Sequence, residues 1–256
     1  AESGEMSLLI IFLLAFVVQI ASANFDALGL QSVRTFSSPP DSGKSGEHPL
    51  SLIAAGMRRK KVVFVNVDVY KVGIYISEDL DRQINTIALS NLPTKDTCFH
   101  FASPLSDSTP ESFDPESGIS IEEQTDDGKE AKNDVTLSIV LQFVRDVDSE
   151  KVVTAMQEAL LSELASKSSS YEKAAKLFID LLRKVTGDEG IKKSDELIFI
   201  FHGQEDNVAV SVLKNAKYGG RVDSSELRRS LIEVYVGDSA VAPEVVNILK
   251  TRYNTK

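Results

Sequence analysis

The residues best equipped for chemistry are gathered in one stretch, Ala55 to Ser77, AGMRRKKVVFVNVDVYKVGIYIS. Arg58, Arg59, Lys60 and Lys61 follow Gly56, which reads as a glycine turn, and Tyr70 and Tyr75 come after a run of branched residues. On composition alone, cations on such a run are a solvated strand edge that discourages aggregation. Tyr70 is then an edge tyrosine whose ring packs on the next strand. Other reactive residue types offer less. Cys98 is the only cysteine, which excludes an intrachain disulfide. A lone cysteine among strand residues is more often a small buried hydrophobe than a nucleophile. His48, His100 and His202 lie far apart and lack metal-ligand spacing, so no metal and no cofactor is expected.

The elements that must position these residues can be read from periodicity. Val63, Val65, Val67 and Val69 alternate with Phe64, Asn66, Asp68 and Tyr70. A period of two means a strand with one apolar and one mixed face. The run is long for a single strand, so a bend at Val65-Asn66 is expected, giving strands over about 58–64 and 67–77. Asp79 to Asn91 reads as a short helix and turn, Cys98 to Phe101 as a short strand, and Val135 to Val144 as a longer one. Asp148-Ser149 opens a helix with Ser149 as N-cap. A second helix spans Tyr171 to Thr186 and ends at Gly187. Glu196–His202 and Asn207–Lys214 form a hairpin around Gly203–Asp206. A short strand at Gly220–Val222 precedes a helix to about Val236, with Asp223 as cap and Glu226 in the capping-box position. A last helix covers roughly 243–252, with Pro243 in its first turn. Strands, helices, hairpin and helix in that order predict an α+β domain, a mostly antiparallel sheet with helices layered on one face.

Gly56-Met57-Arg58, the basic strand after it, and Val69-Tyr70-Lys71-Val72-Gly73-Ile74-Tyr75 resemble the chalcone isomerase superfamily. The segment from Gly219 to Val245, GGRVDSSELRRSLIEVYVGDSAVAPEV, resembles the family's closing strand, helix and following loop. The likeness covers about residues 48–101 and 134–253 and is greatest to the non-catalytic and fatty-acid-binding branches. It implies a chalcone-isomerase-like open β-sandwich.

The resemblance also implies a site. The family's enzymes close a ring by attack of a phenolate on a double bond conjugated to a carbonyl, which needs orientation and donors where charge develops. They use an Arg from the G-x-R segment, a Thr on the next strand, and a Tyr and an Asn on the first long helix. Carried over position by position, the Arg is Arg58 and the Thr position holds Tyr70. The Tyr position falls on Lys151 and the Asn position on Glu158. A further substrate-contacting Thr falls on Val234. Glu158 would repel a phenolate. Arg58 and Tyr70 facing an apolar pocket suit a carboxylate, since the guanidinium fork matches it bidentately and the phenol adds a donor. The expected ligand is a fatty acid or another small apolar carboxylate. The alternatives are a chalcone-isomerase-type intramolecular lyase acting on a phenylpropanoid, or an interaction protein without a ligand. Tyr75 and Tyr235 sit in framework motifs and are expected to pack.

Composition sets the bounds. The chain has 256 residues, 42% of them hydrophobic, enough for a real core. A formal charge of −10 argues against a nucleic-acid partner. Residues 7–20, SLLIIFLLAFVVQI, followed by Ala21-Ser22-Ala23, read as a signal peptide over 1–23 rather than a stable membrane span. Residues 24–46 read as a transit-like or disordered leader outside the fold. Together they predict a plastid destination, with the secretory pathway as alternative. Residues 103–134 hold ten Asp or Glu against two Lys and read as a disordered acidic insertion in a domain over 47–256.

Overall fold

A computed structural model describes residues 28–37, 47–62, 65–89, 135–161, 168–202, 209–237 and 240–253. Seven strands form one antiparallel sheet in sequential order: β1 (Val33–Ser37), β2 (Glu47–Val62), β3 (Val65–Ile76), β4 (Val135–Phe143), β5 (Glu196–His202), β6 (Ala209–Lys214) and β7 (Lys217–Asp223). Among the described residues five helices accompany them: α1 (Glu78–Leu89), α2 (Ser149–Leu161), α3 (Ser169–Thr186), α4 (Ser225–Val236) and α5 (Pro243–Arg252). The α+β architecture read from the sequence is the one observed. The expected strand at Cys98–Phe101 and the acidic insertion at 103–134 lie outside the described residues.

Strand alternation divides the interior into two layers. Val72, Ile74 and Ile76 of β3, Leu137, Ile139 and Leu141 of β4, and Phe199 and Phe201 of β5 meet the helices in the larger core. The residues between them, including Tyr75, Val140, Ile198 and Ile200, pack against Leu30, Phe36, Leu50 and Leu52 on the opposite face. The β1–β2 end therefore closes over the back of the sheet, and the central strands are buried on both sides.

Three local readings are corrected here. Residues 33–37, taken with the leader, form β1. It pairs with β2 from Val33↔Ser51 to Ser37↔Glu47, and Phe36 is in the core. Its five residues are too short and too polar to announce a strand; the apolar partners on β2 make it one. Val65-Asn66, expected as the bend, lies inside β3, where the two residues pair with Val62 and Lys61 of β2. Gly56 is not a turn at all: it lies inside β2, where a Cβ would stand 3.1–3.2 Å from Val245 and Glu244 of α5. Its role is the close approach of strand and helix.

Helix entries shift by one residue. Ser224, not Asp223, caps α4 by accepting from Leu227 N, because Asp223 completes β7. Glu226 accepts instead from the hydroxyls of Ser168 and Ser170. At α2 the Asp148 carboxylate accepts from Glu150 N at 3.0 Å. The Ser149 hydroxyl is drawn away to Thr186 Oγ1 at 2.5 Å.

Candidate ligand site

Arg58 and Tyr70 are directly opposed on β2 and β3. Directly opposed residues of an antiparallel pair share a face, and Tyr70 shares its face with Val72, Ile74 and Ile76, toward the helices. Immediately beyond, Arg59 pairs with Asp68, leaving Val69 as the extra residue of a β-bulge. A bulge reverses the facing of the residues beyond it. Val67, Val69 and Tyr70 consequently line the same cavity, which strict alternation forbids. The greasy face expected for Val63–Val69 does not form as such: Val65 is 64% exposed, and the valines are divided between solvent and cavity.

The cavity holds about 640 Å³. Its floor is the cavity end of β2, β3 and β4, with Leu141 and Phe143 contributed by β4. One wall is α2, which presents Val152, Ala155, Met156 and Ala159. The other is the last turn of α4 with Val241 beyond it. Amphipathic spacing on α2 explains its wall: Val153, Met156 and Leu160 are buried, and the adjoining positions are left to face the opening. Arg58, Tyr70, Lys151, Glu158 and Val234, singled out separately in the sequence, all line this cavity. Arg58 and Tyr70 are half-buried in its floor, while Lys151 and Glu158 stand exposed on α2. Lys60 and Arg145 add positive charge, and Asp146 and Asp148 add negative charge.

Arg58 Nη1 donates to the Val241 carbonyl at 3.1 Å, which fixes the guanidinium against the link between α4 and α5. Among the described residues no carboxylate pairs with it. Its neighbour Arg59 is exposed and forms ion pairs with Asp68 at 3.0 Å and Glu244 at 2.8 Å. The Tyr70 ring packs on Phe143, centroids 5.2 Å apart. Burial raises the Tyr70 phenol above its ordinary value, and the Arg58 charge partly counters this. The proton is therefore retained at neutral pH, and Tyr70 is a donor.

Tyr235 is the residue that sequence reasoning missed. It does pack, against Phe199 at 6.3 Å, but it also lines the cavity, and among the described residues its buried hydroxyl has no hydrogen-bond partner. Burial raises its phenol well above the ordinary value, with Tyr70 adding to the rise. The two hydroxyls are close enough to shift each other in the sense of Tyr235 as donor and Tyr70 as acceptor, yet they stop short of hydrogen-bond geometry. The available signal was its place directly after Val234 in the last helical turn, where two adjacent side chains can both reach a cavity at the helix end. Tyr75, by contrast, packs as expected, on the other face of the sheet.

Among the described residues no cluster of His, Cys, Asp and Glu could hold a metal ion. No described helix is long and apolar enough to cross a membrane.

Fold and cavity together define an α+β open sandwich with an apolar chamber between sheet and helices and a cation and phenol set in its floor. The chain belongs to the chalcone-isomerase-like family: the family model "Chalcone isomerase like" matches residues 48–247. The fold is similar to the crystal structure of a fatty-acid-binding protein of Arabidopsis thaliana. The TM-score is 0.57 at 19% identity, covering 87% of this chain and 98% of that one. A comparison with curated proteins finds no match.

Proposed function

We propose that this protein binds a fatty acid or a similar small apolar carboxylate, with Arg58 and Tyr70 holding the head group and the tail lying between sheet and helices. The observation that carries the reading is the Arg58–Tyr70 pair: side by side in the floor of an apolar cavity, with no described carboxylate answering the cation. A half-buried guanidinium without an anion is costly. A ligand carboxylate offers the bidentate partner its geometry fits. Each buried CH₂ of the tail would contribute about 0.8 kcal/mol. A cavity of this size falls within the range of small-molecule sites. That the structural neighbour is a fatty-acid-binding protein supports the same chemistry.

Chalcone cyclisation is the weaker reading. Lys151 and Glu158 occupy the cavity wall where an enzyme would need donors, and a carboxylate there opposes a phenolate. Mass spectrometry of small molecules carried through purification tests the proposal: fatty acids should be recovered with the wild-type protein. Recovery of none, together with no displacement of a fluorescent fatty-acid probe by palmitate, would leave an interaction protein as the better reading. The same proposal has residues 1–23 cleaved and the mature protein directed to a plastid. Because the fold already includes Leu30 and Phe36, N-terminal sequencing of native material should begin between Asn24 and Leu28.

A further inference from the structure

Tyr235 has a hydroxyl whose presence the fold does not explain. The residue is 0% exposed, and among the described residues its buried hydroxyl has no hydrogen-bond partner. Such a group costs about 1–3 kcal/mol, and phenylalanine would fill the same space without that cost. Three other buried tyrosines are satisfied within the fold. Tyr75 donates to Gln31 O at 2.9 Å, Tyr171 to Leu160 O at 3.1 Å, and Tyr253 to Asp81 Oδ1 at 2.7 Å. Tyr235 instead lies at the cavity, within electrostatic reach of Tyr70 and Arg58.

We propose that Tyr235 is a positioning residue for the head-group site: when an acceptor ligand takes the Tyr70 proton, the Tyr235 hydroxyl, which has no partner among the described residues of the fold, closes onto Tyr70 Oη as a donor and holds that proton directed into the cavity. The inference rests on the carboxylate reading of the cavity. Proton counting carries it. A phenol has one donor and two acceptor sites. If Tyr235 donates to Tyr70, the Tyr70 oxygen is occupied as an acceptor and its single proton has only the cavity to go to. A carboxylate that takes this proton polarises Tyr70, which makes its oxygen a better acceptor for Tyr235. The chain Tyr235 → Tyr70 → ligand runs in one direction and favours an ionised acid over a neutral ester, whose carbonyl draws less strongly on the same proton.

The test is a displacement titration with palmitate and methyl palmitate on wild type, Tyr70→Phe, Tyr235→Phe, the double variant and Arg58→Ala. Tyr235→Phe should weaken palmitate about three- to tenfold, leave methyl palmitate nearly unchanged, and add nothing in the Tyr70→Phe background. Its thermal midpoint should equal or exceed that of wild type. Equal losses in both backgrounds, or a midpoint lowered by several degrees, would mean that the hydroxyl serves the fold, and would overturn the proposal. Full palmitate affinity in Tyr235→Phe beside losses in Arg58→Ala and Tyr70→Phe would overturn it while sparing the carboxylate reading. Wild-type affinity in all the variants would remove both.

Discussion

The β2–β3 ribbon joins two regions that each combine an arginine with a tyrosine, and only one of them is complete. On the closed face of the sheet, Arg34 makes a bidentate pair with Glu196 at 2.7 and 2.6 Å and lies over the Tyr75 ring, 5.6 Å from its centroid. The Tyr75 hydroxyl is bonded to Gln31 O. On the cavity face, Arg58 stands opposite Tyr70, the guanidinium donates to the Val241 carbonyl, and among the described residues no carboxylate plays the part of Glu196. Tyr70 and Tyr75 are an odd number of residues apart, so the pleat sends them to opposite faces. The closed face carries its own anion. The cavity face has the same cation and phenol, and among the described residues no acid answers them.

Acidification should separate the two faces of the sheet most. His202 belongs to the closed face, bonded through Nε2 to Ser211 Oγ at 2.9 Å. Burial, then the charges of Arg221, His48 and Arg228, lower its pKa from 6.5 to about 4, with Asp223 acting in the opposite direction. A folded-state value below the unfolded one means stability that is complete above pH 6.5 and is lost as pH falls toward 4, because the unfolded chain takes up the proton first. The loss is on the order of 3 kcal/mol. Urea denaturation from pH 7.5 to 4 should show it, and His202→Gln should flatten that part of the profile. An unchanged profile in the variant would assign the acid sensitivity elsewhere.

Removing an anion from the closed face comes next. Glu196→Gln leaves the Arg34 charge unanswered and should cost about 2–3 kcal/mol, less than a fully buried pair because both side chains keep some solvent. Arg58→Met on the cavity face removes a cation that has no partner acid among the described residues and should cost about 1 kcal/mol or less. Equal losses in denaturant midpoints would break the comparison.

The tyrosines give the smallest and sharpest contrast. Tyr75→Phe should destabilise the fold by about 1 kcal/mol while leaving ligand affinity unchanged. Tyr70→Phe should do the reverse, weakening palmitate by about 1–3 kcal/mol, the range for a hydrogen bond to a charged group. Thermal melts and titrations of the two variants side by side decide it.

Much of this was legible in the sequence, for identifiable reasons. β4, β5, α3 and α5 have strong periodicity or clear end signals, and their predicted bounds agree with the observed ones to within two residues. The positions of Arg58 and Tyr70 were legible through the family motif. What makes them neighbours of Val67 and Val69 in one cavity is the bulge at Val69, and a bulge leaves no trace in a pattern of alternating valines. β1 was hidden because Arg34 lies in the segment read as a transit-like leader, whereas its partner Glu196 lies 162 residues away. Tyr235 was hidden by its own good packing: a residue that fills a core looks structural until its hydroxyl is found without a partner.

The central claim is that Arg58 awaits a ligand's carboxylate, and Arg58→Ala measured against Arg59→Ala in one palmitate titration tests it most directly. Both variants delete one positive charge from the same strand, so long-range electrostatics are matched. Arg59 is already paired with Asp68 and Glu244, outside the cavity. Arg58→Ala should abolish binding, and Arg59→Ala should bind as wild type does. Equal affinity in the two variants would contradict the account.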